Sequence, residues 1–321
     1  MIVMSFAPSR RHLLALLGAA SGSAVLAACG EGGSGSGGKP TVVAACYPME
    51  YLATRVAGDH IDMIQLATPG ADAHGLELSV KQTLEIRKAA LVLQIPGLTT
   101  ALDDAIASEG TDNVLDVSSV VTLLASSGED EHEHEHEDGT SDEGGEEHDL
   151  AGDDPHLWHD PQRMADIGDA IAKRLGEQLP DVAEELTANA ATLRSDLEAL
   201  DTELEEDFSS VSGNRTFITS HTAFAYLADR YDLHQVGISG VDPETEPSPQ
   251  RLLQLEQVVK DEEVTTIFFE TTASPKVAQT LAENVGVTAA ELDNLETQLS
   301  EDQDYPAVMR SNAKALMASW S

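Results

Sequence analysis

Apolar residues in this chain fall into two kinds of run. Short β-branched or aliphatic runs at residues 41–45, 61–67, 90–95 and 113–117 predict buried strands. Between them, residues 49–57 and 80–88 carry helical spacing, the second run with Ser79 placed to cap it. Strands alternating with helices predict an α/β layer with a mainly parallel sheet. Residues 161–179 follow as a helix, with Met164, Ile167, Ile171 and Leu175 on one stripe. Leu186, Leu193, Leu197, Leu200 and Leu204 then give residues 181–207 an apolar face. At ~1.5 Å per residue that helix would be roughly 40 Å long, enough to span a two-lobed body. Beyond it the rhythm restarts. Strands are expected at 215–219, 233–238, 265–269 and 288–292, helices at 222–231, 249–261 and 274–285, and a last helix at 305–320. The expected fold is therefore α/β: two lobes, each with a mainly parallel sheet, joined by a long linking helix with a site in the cleft between them. The expected boundaries are 41–180 for the first lobe, 181–207 for the helix and 208–321 for the second lobe.

Residues 129–149 break the pattern. They are almost all acid, glycine and histidine, with no apolar period, so they cannot build a core and are expected to form a solvated loop. His132, His134, His136 and His148 sit among its carboxylates. Imidazole suits zinc, copper and nickel, so the composition points to a weak collector of a borderline transition metal. The formal net charge is −39, and residues 129–154 supply 14 of the 57 acids. The remainder still sets 43 acids against 18 bases. Such a surface disfavours nucleic acid and anionic membranes and attracts cations.

The N-terminal 29 residues read as an export signal. Arg10 and Arg11 precede an apolar stretch from Leu13 to Ala28 that is short for a membrane-spanning helix. Residues 9–14 also fit a twin-arginine pattern, which leaves two export routes open. Leu26-Ala27-Ala28-Cys29-Gly30 looks like a lipobox, with Cys29 as the lipidated residue, and residues 30–40 read as a Gly/Ser-rich tether. A lipid anchor would then be the chain's only contact with the membrane. The other cysteine, Cys46, follows a strand and reads as a small buried thiol, so neither a disulfide framework nor a cysteine zinc site is expected.

Ligands of parallel sheets lie beyond the carboxyl ends of the strands. His74 follows a strand within a turn-rich stretch, and His221, Glu270 and Asp293 all stand at expected strand ends. His156 lies in Asp154-Pro155-His156-Leu157-Trp158, where proline and large apolar neighbours predict a fixed, partly buried site. Three imidazoles and a carboxylate complete a tetrahedral Zn²⁺ shell. The expected set is His74, His156, His221 and Asp293. Glu270 is the competing carboxylate, expected to orient a histidine or bridge the lobes, and His159 is a further candidate donor. His60 and His234 read as structural. Protonation of the histidines is expected to favour metal release as pH falls below ~6.

These residues resemble the cluster A-I substrate-binding proteins of bacterial metal ABC importers, in particular the zinc branch. The resemblance runs from about Thr41 to the C-terminus. It rests on residues 69–77 (PGADAHGLE), 154–161 (DPHLWHDP), 220–227 (SHTAFAYL), 246–249 (EPSP), Phe269-Glu270 and Leu292-Asp293. It implies two α/β lobes with a linking helix, metal held by His74, His156, His221 and Asp293, and delivery by a monomer to a membrane permease driven by a cytoplasmic ATPase. Two positions depart from the family pattern: Ala73 stands where a proline is usual, and His159 where an aliphatic residue is usual. His221 in place of the glutamate typical of manganese members favours zinc. The alternatives are manganese or iron cargo in the same family, a metal buffer or surface adhesin, and a zinc hydrolase. The last is opposed by four protein ligands, since catalytic zinc keeps an open position.

Overall fold

The computed structural model describes residues 38–109, 112–126, 152–243, 245–271, 274–300 and 302–320. The expected export signal, Cys29 and the histidines at 132, 134, 136 and 148 lie outside them.

The first sheet has strands β1 (Thr41–Ala44), β2 (Asp62–Gln65), β3 (Leu91–Gln94) and β4 (Val114–Asp116), all parallel, in the order β2-β1-β3-β4. Helices α1 (Tyr47–Ala57), α2 (Val80–Lys88) and α3 (Thr100–Glu109) make the crossovers. Ser79 caps α2 as its position implies, in a reciprocal pair with Gln82. Helix α4 (Pro161–Gln178) follows, capped by Asp160, and then α5 (Ala183–Ser209). The second sheet repeats the order of the first. Strands β5 (Thr216–Thr219), β6 (His234–Gly237), β7 (Thr266–Glu270) and β8 (Thr288–Leu292) run parallel as β6-β5-β7-β8. Helices α6 (Ala225–Tyr231), α7 (Pro249–Asp261) and α8 (Lys276–Val285) connect them, and α9 (Tyr305–Ser319) returns to the linking helix.

Strand alternation sends side chains to opposite faces, and here the faces have different fates. Val42, Ala44, Leu91 and Leu93 enter one large core, while Val43 and Val92 enter a smaller cluster on the other face. In the second sheet Phe217 and Phe268 enter the same large core, and Ile218 and Ile267 face a separate outer cluster. The lobes therefore share a continuous interior in place of one private core each. Helix α5 lies along it and buries Leu186, Leu193, Leu197, Leu200, Leu204 and Phe208. Gly168 allows α4 to approach closely, since a Cβ there would stand 3.1 Å from Leu193 Cδ2.

One charge is buried in this joint. The Asp201 carboxylate of α5 accepts from Arg230 Nε (2.9 Å) and Nη2 (2.6 Å), from the Tyr231 hydroxyl (3.0 Å) and from Gln162 Nε2 (2.8 Å). A two-pronged guanidinium contact fixes orientation as well as distance. It ties α4, α5 and α6 at one point. Among the described residues, no helix is long and apolar enough to cross a membrane.

Candidate metal centre

Three loops at the carboxyl ends of the strands converge with a fourth segment. His74 comes from the turn-rich stretch after β2, and Asp72 Oδ1 accepts its backbone N–H at 2.6 Å. His156 opens a short 3₁₀ turn, Leu157–His159, that leads into α4. His221 follows β5. The fourth group is Glu296, in the loop after β8. Ligand atoms of His74, His156, His221 and Glu296 all lie within 4.8 Å of one another. His74 Nε2 and His156 Nε2 are 3.0 Å apart. Glu296 Oε1 stands 3.7 Å from His74 Nε2 and 3.9 Å from the Nε2 atoms of His156 and His221. Donors ~2.0–2.1 Å from a tetrahedral ion would be separated by about 3.4 Å, so this spacing brackets that of a metal shell. His156, His221 and Glu296 are fully buried, and His74 alone keeps a partly exposed side chain. It faces a pocket of about 310 Å³ lined also by Leu98, Asp153, Pro155 and Asp242.

Asp293, the carboxylate expected from its strand end, is placed differently. Its Oδ1 accepts the Leu295 N–H at 2.8 Å, and its own backbone is held at both ends by Asn312. It is not among the four gathered groups. The physical reason is the turn that follows. Leu295 has a left-handed backbone (φ 64°) although it is no glycine, a conformation that costs of order 1–3 kcal/mol. Burial of its side chain in the shared core holds it there. The reversal carries Glu296 inward, where Ala73 N (3.3 Å) and Asn294 Nδ2 (2.9 Å) hold its carboxylate. Sequence reasoning missed Glu296 because leucine gives no sign of a left-handed turn. The available signal was only an acidic residue soon after a strand end.

The other expected groups surround the cluster. Asp154 Oδ1 accepts the His156 backbone N–H (2.9 Å) and lies 2.8 Å from its Nδ1, which leaves Nε2 facing the centre. Glu270 Oε1 accepts the His221 N–H (3.2 Å) and lies 3.3 Å from His221 Nδ1. It stands behind the imidazole and outside the four-membered group. His159 is buried against Phe224, ring centroids 4.5 Å apart, and neither of its ring nitrogens has a hydrogen-bond partner. It too is outside the group. His60 pairs with Glu185 at 3.2 Å, and His234 Nδ1 meets Thr216 Oγ1 at 3.1 Å, both away from the centre. Cys46 is buried, and burial pushes its thiol up to about 12.

Electrostatics separate the four groups. Burial, reinforced by the neighbouring imidazoles of His156 and His221, drives His74 down to about 2. Burial also lowers His156, against the pull of Asp154. For His221 burial is outweighed by Glu270, Glu296 and Asp72, and the net shift is upward. Burial and then Asp72 raise Glu296 to about 7. The metal-free centre thus offers two neutral imidazoles as lone-pair donors and keeps its proton on the His221–Glu296 side. Proton competition with a cation near neutral pH falls on that side. At His74, burial has already removed the competition that an ordinary histidine would offer near pH 6.

Two parallel-sheet lobes on one long helix, with a buried three-imidazole and carboxylate group at their facing strand ends, are the architecture of a two-lobed α/β binding protein with a metal-type donor set. The chain belongs to the ZnuA family, described as zinc-uptake complex component A, periplasmic, whose pattern matches residues 42–319. It is 35% identical over 290 residues to the zinc-binding protein AdcA of Streptococcus pyogenes serotype M3, covering 87% of this chain and 56% of the relative. The chain thus spans little more than half the length of that relative. It is 33% identical over 303 residues to the high-affinity zinc uptake system protein ZnuA of Bacillus subtilis, covering 91% of this chain and 92% of the other. Among solved structures it is similar to the laminin-binding protein Lmb of Streptococcus agalactiae, described as a bifunctional protein with adhesin and metal transporting activity. The TM-score there is 0.73 and the identity 30%, over 88% of this chain and 100% of that one.

Proposed function

We propose that this chain is an extracytoplasmic zinc receptor that captures Zn²⁺ and hands it to the permease of an ABC importer powered by a cytoplasmic ATPase. The observation that carries the reading is the closeness of His74, His156, His221 and Glu296, buried between lobes at a spacing suited to one tetrahedral ion. Glu296 takes the place expected of Asp293. Glu270 and Asp154 orient imidazoles, and His159 is not a ligand. Nitrogen-rich donors favour zinc over manganese or iron. Four protein donors close the shell and leave no position for the water that a hydrolase needs. The names of the S. pyogenes and B. subtilis relatives support zinc as the cargo. A lipid on Cys29 would hold the monomer at the outer face of the membrane, and residues 129–149 would bind metal weakly and raise its concentration nearby.

The test is calorimetric titration of the metal-stripped chain from residue 31 with Zn²⁺ and Mn²⁺, beside His221→Ala and a deletion of residues 129–149. One tight zinc site that exceeds manganese, collapses in His221→Ala and survives the deletion is expected. Equal or stronger manganese binding would reassign the cargo. Weak sites alone, lost with the deletion, would leave a metal buffer. The likeness to Lmb favours adhesion as a second reading, tested by binding of the chain to immobilised laminin.

A further inference from the structure

Tyr226 lies on α6 of the second lobe, buried, and none of its atoms belongs to the four-group centre. Its hydroxyl reaches across to two extended segments of the first lobe's polypeptide. It accepts the Leu124 N–H at 2.8 Å and donates to the Asp154 carbonyl at 2.6 Å. These two residues flank an antiparallel bridge between Ala125 and Asp153, continued by Ser126 N–H to the Gly152 carbonyl at 2.9 Å. An antiparallel hydrogen-bonded pair normally exchanges two N–H···O bonds. Leu124 and Asp154 make only one of them: Asp154 N–H donates to the Leu124 carbonyl at 2.7 Å. The Tyr226 hydroxyl occupies the place of the other, taking the donor and satisfying the acceptor. Arg163 lies over the Tyr226 ring, 4.9 Å from its centroid, and donates to the Thr122 carbonyl, so the ring is fixed as well.

From this geometry we infer that Tyr226 is a positioning residue for the metal centre: its hydroxyl wedges the Leu124–Asp154 pair open and so sets the Asp154 carboxylate that aims His156. The inference rests on the reading of His156 as a ligand. The chain of contacts is short. The hydroxyl fixes the Asp154 carbonyl, and Asp154 Oδ1 fixes both the backbone N–H and the Nδ1 of His156. Without the hydroxyl, Leu124 N–H and the Asp154 carbonyl must either close on each other or stay buried and unpaired. Closing moves the Asp154 backbone, and with it the support of the imidazole. Partners that orient a ligating histidine change metal affinity ~10–100-fold when removed. Tyr226 acts one contact further out, so the lower end, about tenfold, is expected.

The test uses the whole chain with Tyr226→Phe, Asp154→Asn and the double variant. Zinc affinity is read by competition with a chromogenic chelator, and the geometry of the centre by the visible spectrum of Co²⁺ bound in place of zinc. Tyr226→Phe should weaken zinc about tenfold and alter the Co²⁺ bands, and it should add little on top of Asp154→Asn. A second variant, 4-aminophenylalanine at position 226, keeps a donor for the Asp154 carbonyl and should restore much of the affinity. An unchanged Co²⁺ spectrum and affinity in Tyr226→Phe, or losses that simply add to those of Asp154→Asn, would overturn the inference. So would a loss of folding or affinity that the amino variant fails to restore, because packing would then explain it. Absence of a tight zinc site in the unaltered chain would instead refute the proposed function.

Discussion

Glu296→Gln should make the metal-free protein more stable while weakening its hold on zinc. The carboxylate is fully buried, and its pKa is raised from 4.5 to about 7, chiefly by burial. A folded-state pKa above the unfolded one means that the native chain binds the extra proton between those values, so stability falls as pH rises through this window. The cost grows from about pH 4.5 and is complete a little above pH 7. At ~1.36 kcal/mol per pH unit it amounts to about 3 kcal/mol. Glutamine removes the charge. Its oxygen can still accept from Ala73 N or Asn294 Nδ2, and its amide meets the neutral imidazoles of His74 and His156. One of the two present acceptor contacts is lost, worth ~1 kcal/mol. The net gain for the chelated variant at pH 8 is about 2 kcal/mol, or several degrees in melting temperature. Zinc reverses the order. If ~10–16 kcal/mol of structural zinc binding is shared among four ligands, one ligand carries about 3 kcal/mol, or a hundredfold in affinity. Calorimetric melting at pH 4.5 and pH 8, with chelator and with excess zinc, checks all four corners. A chelated variant that melts no higher than the unaltered chain at pH 8, or a zinc-loaded variant that keeps the full stabilisation, would refute the reasoning.

Other expectations follow from neighbouring groups. Asp293→Asn keeps an acceptor for the Leu295 N–H, so zinc affinity by chelator competition should change less than about threefold; a hundredfold loss would return Asp293 to the ligand set. His159→Leu replaces a buried ring with two unpartnered nitrogens, so urea unfolding should show a gain of ~1–2 kcal/mol with zinc affinity unchanged. Asp201→Ala strips partners from Arg230, Tyr231 and Gln162. Breaking a buried pair costs ~3–5 kcal/mol, and Arg230 is one-third exposed, so ~2–3 kcal/mol is expected in urea. Zinc affinity should fall as pH drops below about 7, because protons return first to Glu296 and the raised His221, and titration calorimetry at pH 5.5 and 7.5 should show this.

Hydrophobic period alone determined much of this protein. Short apolar runs placed all eight strands of the described residues, and helical spacing placed the helices between them except α3, for which no helix was expected at residues 100–109. The leucine stripe at 186, 193, 197, 200 and 204 announced the long helix that the structure shows as α5, shifted two residues toward the C-terminus behind a short 3₁₀ turn at Pro180–Val182. These signals are legible because they are local: a residue's face is set by its place in its own element. His74 and His221 were legible for a related reason, since the carboxyl end of a parallel strand is a fixed place in the fold, whereas His156 stood out by its proline and large apolar neighbours. The carboxylate beside them was not. Asp293 occupies the strand end that the pattern identifies, but the left-handed Leu295 that follows, its N–H held by Asp293, depends on burial in a core built from distant parts of the chain, and it is this turn that brings Glu296 inward. The shared core was hidden likewise, because which face of each sheet meets the other lobe depends on how the sheets pack. The position of Tyr226 between Leu124 and Asp154 joins residues some 100 and 72 apart in sequence. No local pattern encodes such a contact: its energy arises only once the two lobes have closed around one interior.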